Sequence, residues 1–231
     1  MKKLITMLCA ACSLMLVSVG TAQSDSSNFA GPYVGFQALG VGAEFKGQSN
    51  SSAGTSGAVE DQVPVGATVG TFGIEAGYVL PLGSTFALDV GGEYTHGETK
   101  IDHQTSGEDS NAGNVSMTVD KFYSWYVAPT IALSDTSSLY LKAGVSHADV
   151  GITGDVRHPG DLSGESWSIG TRTVLPSGIF IRTEAGVTEY NGISAHGKGA
   201  GVSGQDLIDS TTSYAAEPTI IQGTVSIGLR F

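Results

Sequence analysis

The chain has 231 residues, with 22 acidic side chains against 11 basic ones for a formal net charge of -11, yet only 14% of its residues are charged and 33 are glycine. The acid excess argues against a nucleic-acid partner, and low charge with about twice the usual glycine share does not describe an ordinary soluble enzyme. Past the first two dozen residues no long apolar run occurs, which excludes a bundle of membrane helices.

The first segment, "MKKLITMLCAACSLMLVSVGTAQS", joins two lysines to an apolar run and a small-residue exit at Gly20-Thr21-Ala22. It reads as a secretory signal peptide over residues 1–22, so the exported chain is expected to start near Gln23. Lipoprotein processing at Cys12 is not expected, because it would leave half of the apolar core on the product. Cys9 and Cys12 both leave with the signal, and residues 23–231 then contain no cysteine. That rules out a disulfide framework and thiolate chemistry.

From residue 32 onward the apolar residues alternate with period two, the pattern of strands with two unlike faces. The first strand is expected over 32–42, "PYVGFQALGVG", with its parity slipping around Leu39 as at a bulge or an early strand end. The second, 71–80, aligns Phe72, Ile74, Ala76, Tyr78 and Leu80; the third, 86–95, aligns Phe86, Leu88, Val90 and Tyr94. The fourth and fifth cover 122–133 and 139–148, the sixth and seventh 166–175 and 179–188, and the last is "IQGTVSIGLRF", 221–231. Connections two, four and six are tight ("PLGST", "SDTSS", "PSG"), whereas the others are long, acidic and rich in Gly and Ser.

Eight strands of about ten residues, with tight turns at one end and long loops at the other, predict an all-β, eight-stranded antiparallel up-and-down transmembrane barrel filling residues 23–231. A sheet in hydrocarbon cannot leave an edge of unpaired amides, so the last strand is expected to pair with the first. Aromatics near strand ends, among them Tyr33, Tyr78, Tyr94, Tyr123, Trp125, Trp167 and Phe231, suit interfacial girdles.

If the apolar set faces lipid, the alternate set faces inward. There the charges collect: Glu75, Asp89, Glu93, Lys142, Arg172, Arg182, Glu184 and Arg230. Counted from the tight turns, most lie three to five residues into their strands, roughly 10 to 17 Å at the strand rise, and they should meet as one layer. An eight-stranded lumen is only wide enough for side chains, so a salt-bridged plug is the expected outcome, with a gate formed by exchange of partners as the alternative.

On "GPYVGFQA", on the "GIEAGYVLPLG" to "FALDVGGEYTHG" hairpin and on the terminal "SIGLRF", the chain resembles the small eight-stranded outer-membrane barrels, the group that holds the barrel domain of outer membrane protein A and compact surface barrels. The resemblance implies placement in the bacterial outer membrane, contact with its lipid and lipopolysaccharide, and assembly by the barrel-assembly machinery. It also implies that Ile227, Leu229 and Phe231 form the assembly signal. The peptidoglycan-binding domain that follows some of these barrels is not expected here.

Candidate chemistry is sparse. Ser146 beside His147, and Ser194 near His196, lack the His-x-Ser and strand-adjacent carboxylate of lipid A deacylases. The five histidines (His96, His103, His147, His158, His196) form no His-x-His or His-Glu-x-x-His pattern, and the run 109–120 departs from a calcium loop at its glycine position. No catalytic, cofactor or metal site is expected. The outer loops carry Glu60, Asp61, Glu108, Asp109, Asp155, Asp161, Asp206 and Asp209, which would attract polybasic ligands and repel anionic ones. A monomeric structural and surface-interaction protein is the expected function, with a surface ligand left open. A narrow pore or transporter for small or hydrophobic solutes comes second, and a lipid-modifying enzyme third.

Overall fold

The computed structural model describes residues 25–50, 59–61, 65–103, 115–153, 158, 160–196 and 213–231. The signal segment 1–22 and the loop acids Glu108, Asp109, Asp155, Asp206 and Asp209 lie outside the described residues.

Ten strands follow a short 3-10 helix, Ser26–Phe29: β1 (Gly31–Asn50), β2 (Val59–Asp61), β3 (Val65–Pro81), β4 (Phe86–His103), β5 (Val115–Ala132), β6 (Ser137–Thr153), β7 (Leu162–Val174), β8 (Ile179–Tyr190), β9 (Ile193–His196) and β10 (Ser213–Arg230). Eight of them form a closed antiparallel barrel in the order β1-β3-β4-β5-β6-β7-β8-β10, shut by β1 pairing with β10; β2 and β9 flank it as short additions. In the closing pair Phe36 lies opposite Ile227 and Val34 opposite Leu229. No edge is then left open to lipid along the spanning part.

The expected parity holds over the spanning part. Phe36, Ile74, Trp125, Ile169, Ile227 and Phe231 all stand exposed on the outer face, a belt of apolar side chains far larger than a water-soluble monomer tolerates. Where a polar pair interrupts the belt it satisfies itself, as Thr171 and Thr183 do through their hydroxyls at 2.9 Å.

Three features differ from expectation. Most strands run 17 to 20 residues, well past the roughly ten that a bilayer needs, so the barrel wall continues beyond the membrane. The first strand shows no parity slip: Tyr33, Gly35, Gln37 and Leu39 all turn inward, with Pro32, Val34, Phe36 and Ala38 outward. An apolar Leu39 belongs inside because it shares one apolar wall of the lumen with Val41, Phe122 and Ile220. The irregularity falls instead on β4 and β5, where pairing jumps from Thr95/Phe122 to Glu98/Asp120. Lys121 sits there at φ 50, a bulge geometry that reverses which residues of β5 face inward.

Candidate functional site: the filled lumen

Three layers fill the barrel. The lowest is an apolar cluster of Phe29, Tyr33, Val79, Ala87, Ala132, Val174 and Phe180. Phe29 reaches it from the 3-10 helix, which folds under the barrel at the tight-turn end: Ser26 N–H donates to Ser84 O at 2.6 Å and Ser26 Oγ to Gly83 O at 2.6 Å. Asp25 caps that helix, its carboxylate accepting from Ser27 N–H at 2.9 Å. This bond holds the Asp25 pKa below the ordinary carboxylate range.

The middle layer holds the charges. Arg182 stands at its centre, 1% exposed. Its Nη1 donates to Glu75 Oε2 at 2.8 Å and to the Tyr126 hydroxyl at 3.2 Å, and its Nε donates to the Tyr140 hydroxyl at 3.2 Å. Asp89 and Glu184 lie farther off, at 4.0 and 3.6 Å. On one side Arg172 Nη2 binds Asp89 Oδ2 at 2.7 Å while its guanidinium stacks 4.4 Å over the Tyr33 ring. On the other, Lys142 Nζ bridges Glu93 Oε1 at 2.7 Å and Glu184 Oε1 at 2.5 Å.

Seven of the eight inward charges therefore share one connected layer. Arg230 sits apart near the tight-turn end, donating from Nη1 to Ala30 O at 3.2 Å. Without it the layer has four carboxylates for three cations, and hydroxyls make up the donors: Tyr33 donates to Asp89 at 2.8 Å and Tyr140 to Glu184 at 2.9 Å.

These tyrosines are the part that sequence reasoning missed. Tyr33, placed with the interfacial girdle, points inward and is 2% exposed. Every inward aromatic of this kind lies opposite a glycine on a neighbouring strand: Tyr33 opposite Gly77, Tyr126 opposite Gly91, Tyr140 opposite Gly170, Tyr190 opposite Gly164 and Phe180 opposite Gly228. A Cβ on Gly77 would come within 2.5 Å of the Tyr33 hydroxyl, so the ring needs the missing side chain in order to lie flat across the wall. The hydroxyls of Tyr33, Tyr126 and Tyr140 then reach the ions, and that of Tyr190 reaches Ser146. Glycine on the neighbouring inward positions was the available signal.

Above the ions a second apolar cluster, Val119, Ala148, Val150, Leu162, Tyr190 and Ile220, closes toward the outer end. At this height the outer face carries an aromatic row in which Tyr94 pairs with Tyr123 and Tyr123 with His147. Just beyond it, Lys121 Nζ meets Asp149 at 2.8 Å, which raises the lysine's pKa.

Ser146 and His147, neighbours in sequence, face opposite sides of β6. Ser146 Oγ bonds to the Tyr190 hydroxyl inside at 2.9 Å, whereas His147 stacks edge-on against Tyr123 outside. They do not form a dyad. Among the described residues no group of three or more His, Cys, Asp or Glu is placed to hold a metal ion.

The family model described as "Outer membrane protein beta-barrel domain" matches residues 9–205. The chain belongs to this outer-membrane barrel family. Its place is accordingly the outer membrane of Gram-negative bacteria, with the apolar belt against lipid. Among solved structures it is similar to the outer membrane protein OprG from Pseudomonas aeruginosa, at 10% identity over 91% of this chain and 100% of that one, with a TM-score of 0.49. It is similar also to AlkL in DMPC bilayers, at 14% identity over 93% and 95%, TM-score 0.49. A third is Ail, the attachment invasion locus protein of Yersinia pestis, in complex with the heparin analogue sucrose octasulfate, at 13% identity over 85% and 99%, TM-score 0.35. No curated protein matches the chain at a significant level.

Proposed function

We propose that this outer-membrane barrel is a monomeric structural and surface-interaction protein, not an enzyme: it braces the envelope and presents its extended strands and acidic loops to the outside. The observation that carries this reading is the filled lumen. Phe29 and Phe180 block the tight-turn end, the Arg182 layer blocks the middle, and Leu162, Tyr190 and Ile220 close in above. A barrel packed at three heights is built to stay shut, and its rigidity suits an anchor for long exposed segments. Lipopolysaccharide and outer-membrane lipid are its surroundings, with Ile227, Leu229 and Phe231 offered to the barrel-assembly machinery.

The test pairs two measurements. A strain lacking the protein should become sensitive to detergent and recover on complementation, and the purified barrel should give no step currents in planar bilayers. Unchanged detergent resistance would remove the structural role, and an altered lipid A mass on expression would point to lipid chemistry instead.

One observation favours a narrow pore as a second reading. Arg182 Nη2 and Glu75 Oε1 are buried without hydrogen-bond partners, so the layer has unused bonding capacity through which Arg182 can exchange carboxylates. Defined single-channel steps that vanish in Arg182→Met would select it.

A further inference from the structure

Between the ionic layer and the upper apolar cluster lies a cavity of about 70 Å3. Its lining divides by chemistry: Leu39, Val41, Phe122 and Ile220 supply an apolar wall, and Ser124, Ser168 and Thr188 supply hydroxyls beside Lys142 and Glu93. Ser168 Oγ is buried and has no hydrogen-bond partner. The space equals roughly two waters' share of liquid volume, so it encloses a small polar head with a short stem, not a whole drug-sized molecule.

The cavity also extends sideways. Val69, Thr71, Gly97 and Glu98 border it, and these residues mark the place where β3 and β4 part. The two strands pair from Pro81/Ala87 up to Phe72/His96 and no farther, although both continue. Beyond that point β3 pairs with β1 as far as Val65, and β4 pairs with β5 from Glu98 to His103. Thr71 Oγ1 donates to His96 O at the sill, and the Phe72 and His96 rings stack 5.1 Å apart below it on the outside. Eight residues separate Phe72 from Leu80, so the sill stands about 20 Å above the tight-turn end at the usual strand rise and tilt. That puts the slot level with the outer aromatic row.

We infer that this cavity and slot form a binding site for a neutral linear amphiphile, with its hydroxyl or amide head on Ser168, Ser124 and Thr188 and its apolar tail lying out through the gap between β3 and β4. The head is neutral because the charged groups of the floor are already engaged: Lys142 is shared between Glu93 and Glu184, and Glu93 also accepts from Gln37 Nε2 and Ser124 Oγ. A carboxylate head would meet Glu93 and an ammonium head would meet Lys142. The site adds a ligand to the barrel without requiring passage through it, so its failure would leave the structural role standing.

A reporter introduced by Phe122→Trp on the cavity's apolar wall, compared with Trp125, 65% exposed on the lipid face, gives a direct test in the full chain in lipid nanodiscs. In the protein carrying Phe122→Trp, Trp125→Phe and Trp167→Phe, decan-1-ol brominated at carbon 2 should quench the reporter saturably, and unlabelled decan-1-ol should reverse it. Decanoate and decylamine should compete more weakly. In Trp167→Phe the same probe should quench Trp125 only in proportion to its membrane partition. Ser168→Leu, which fills the cavity, should weaken binding by about tenfold or more, and Ser124→Leu serves if that variant does not fold. Quenching that never saturates, that is equal at the reporter and at Trp125, or that survives both leucine variants overturns the site and leaves water as the occupant.

Discussion

Replacing Arg182 by Met tests the architecture of the lumen at its centre. Arg182 is the only cation within 4 Å of Glu75 among the described residues, whereas Asp89 keeps Arg172 and Glu184 keeps Lys142. The substitution therefore orphans one carboxylate in particular, on a side chain with no solvent exposure. Leaving a buried charge unpaired costs about 3–5 kcal/mol, or roughly 6–20 °C in unfolding temperature for a domain of this size. Methionine fills most of the vacated volume, so the loss is electrostatic. Neutralising the orphan should then restore stability: Arg182→Met with Glu75→Gln should unfold within about 2 kcal/mol of the parent, because an uncharged pair of similar shape removes the penalty. The assay is urea unfolding of the barrel in detergent, followed by tryptophan fluorescence and by heat-modifiable gel mobility. A single variant as stable as the parent, or a double variant no better than the single, would refute the claim that Glu75 depends on Arg182.

Other expectations follow from the remaining layers. Phe29→Ala should destabilise the barrel by about 3–5 kcal/mol and expose residues 25–30 to protease; an uncut, equally stable variant would mean that the 3-10 helix does not seal the mouth. Because Asp25 has a lowered pKa when folded, its contribution is present above the unfolded value of about 3.9 and is lost as pH falls through the folded one. Protection of the Ser27 amide, its exchange rate taken against the intrinsic rate at the same pH, should accordingly hold down to about pH 4 and fall below it, and should already be lost at pH 6 in Asp25→Ala, which removes the cap. Gly77→Ala should cost about 1–3 kcal/mol by overpacking against Tyr33 and the Val90 carbonyl, which its Cβ would meet at 2.5 and 2.6 Å, with Tyr33→Ala in the same chain relieving the part owed to the ring; strict additivity of the two would contradict the stacking. Cysteine labels at Ile227 should be quenched by brominated lipid and those at Ser226 should not, since these neighbours are 56% and 2% exposed.

The barrel was legible because hydrocarbon enforces a strict rule, apolar outward on every second residue, and that rule writes Phe72, Ile74, Ala76, Tyr78 and Leu80 in plain alternation. The inward charges were legible for the converse reason, since Arg182 and Glu184 have nowhere else to go between lipid-facing neighbours. The rule weakens where the wall leaves the membrane. There the interior becomes an ordinary apolar core, so inward Leu39 looked like a slip in parity and Val119, Val150 and Leu162 gave no warning. Aromatic rings were ambiguous in a second way, because Tyr33 near a strand end suits a girdle as well as a lumen. Only the register, which sets it opposite Gly77, decides between them. The parting of β3 and β4 depends on which strands pair beyond Phe72 and His96, and local patterning carries nothing about that choice.

The closing seam bears on how the molecule comes apart in time. Arg230 meets Ala30, 200 positions away along the chain, and the seam continues from Tyr33/Arg230 to Asn50/Ser213 without a break in register. Every other barrel pairing joins neighbours in a meander, so hairpins can form early while the final ring closure waits on the most distant ends to meet; high contact order of this kind slows folding. Once zipped, the same joint must open along its whole length before the ring can unroll, so the folded protein should owe its persistence in detergent and heat to a slow exit rate as much as to its equilibrium stability.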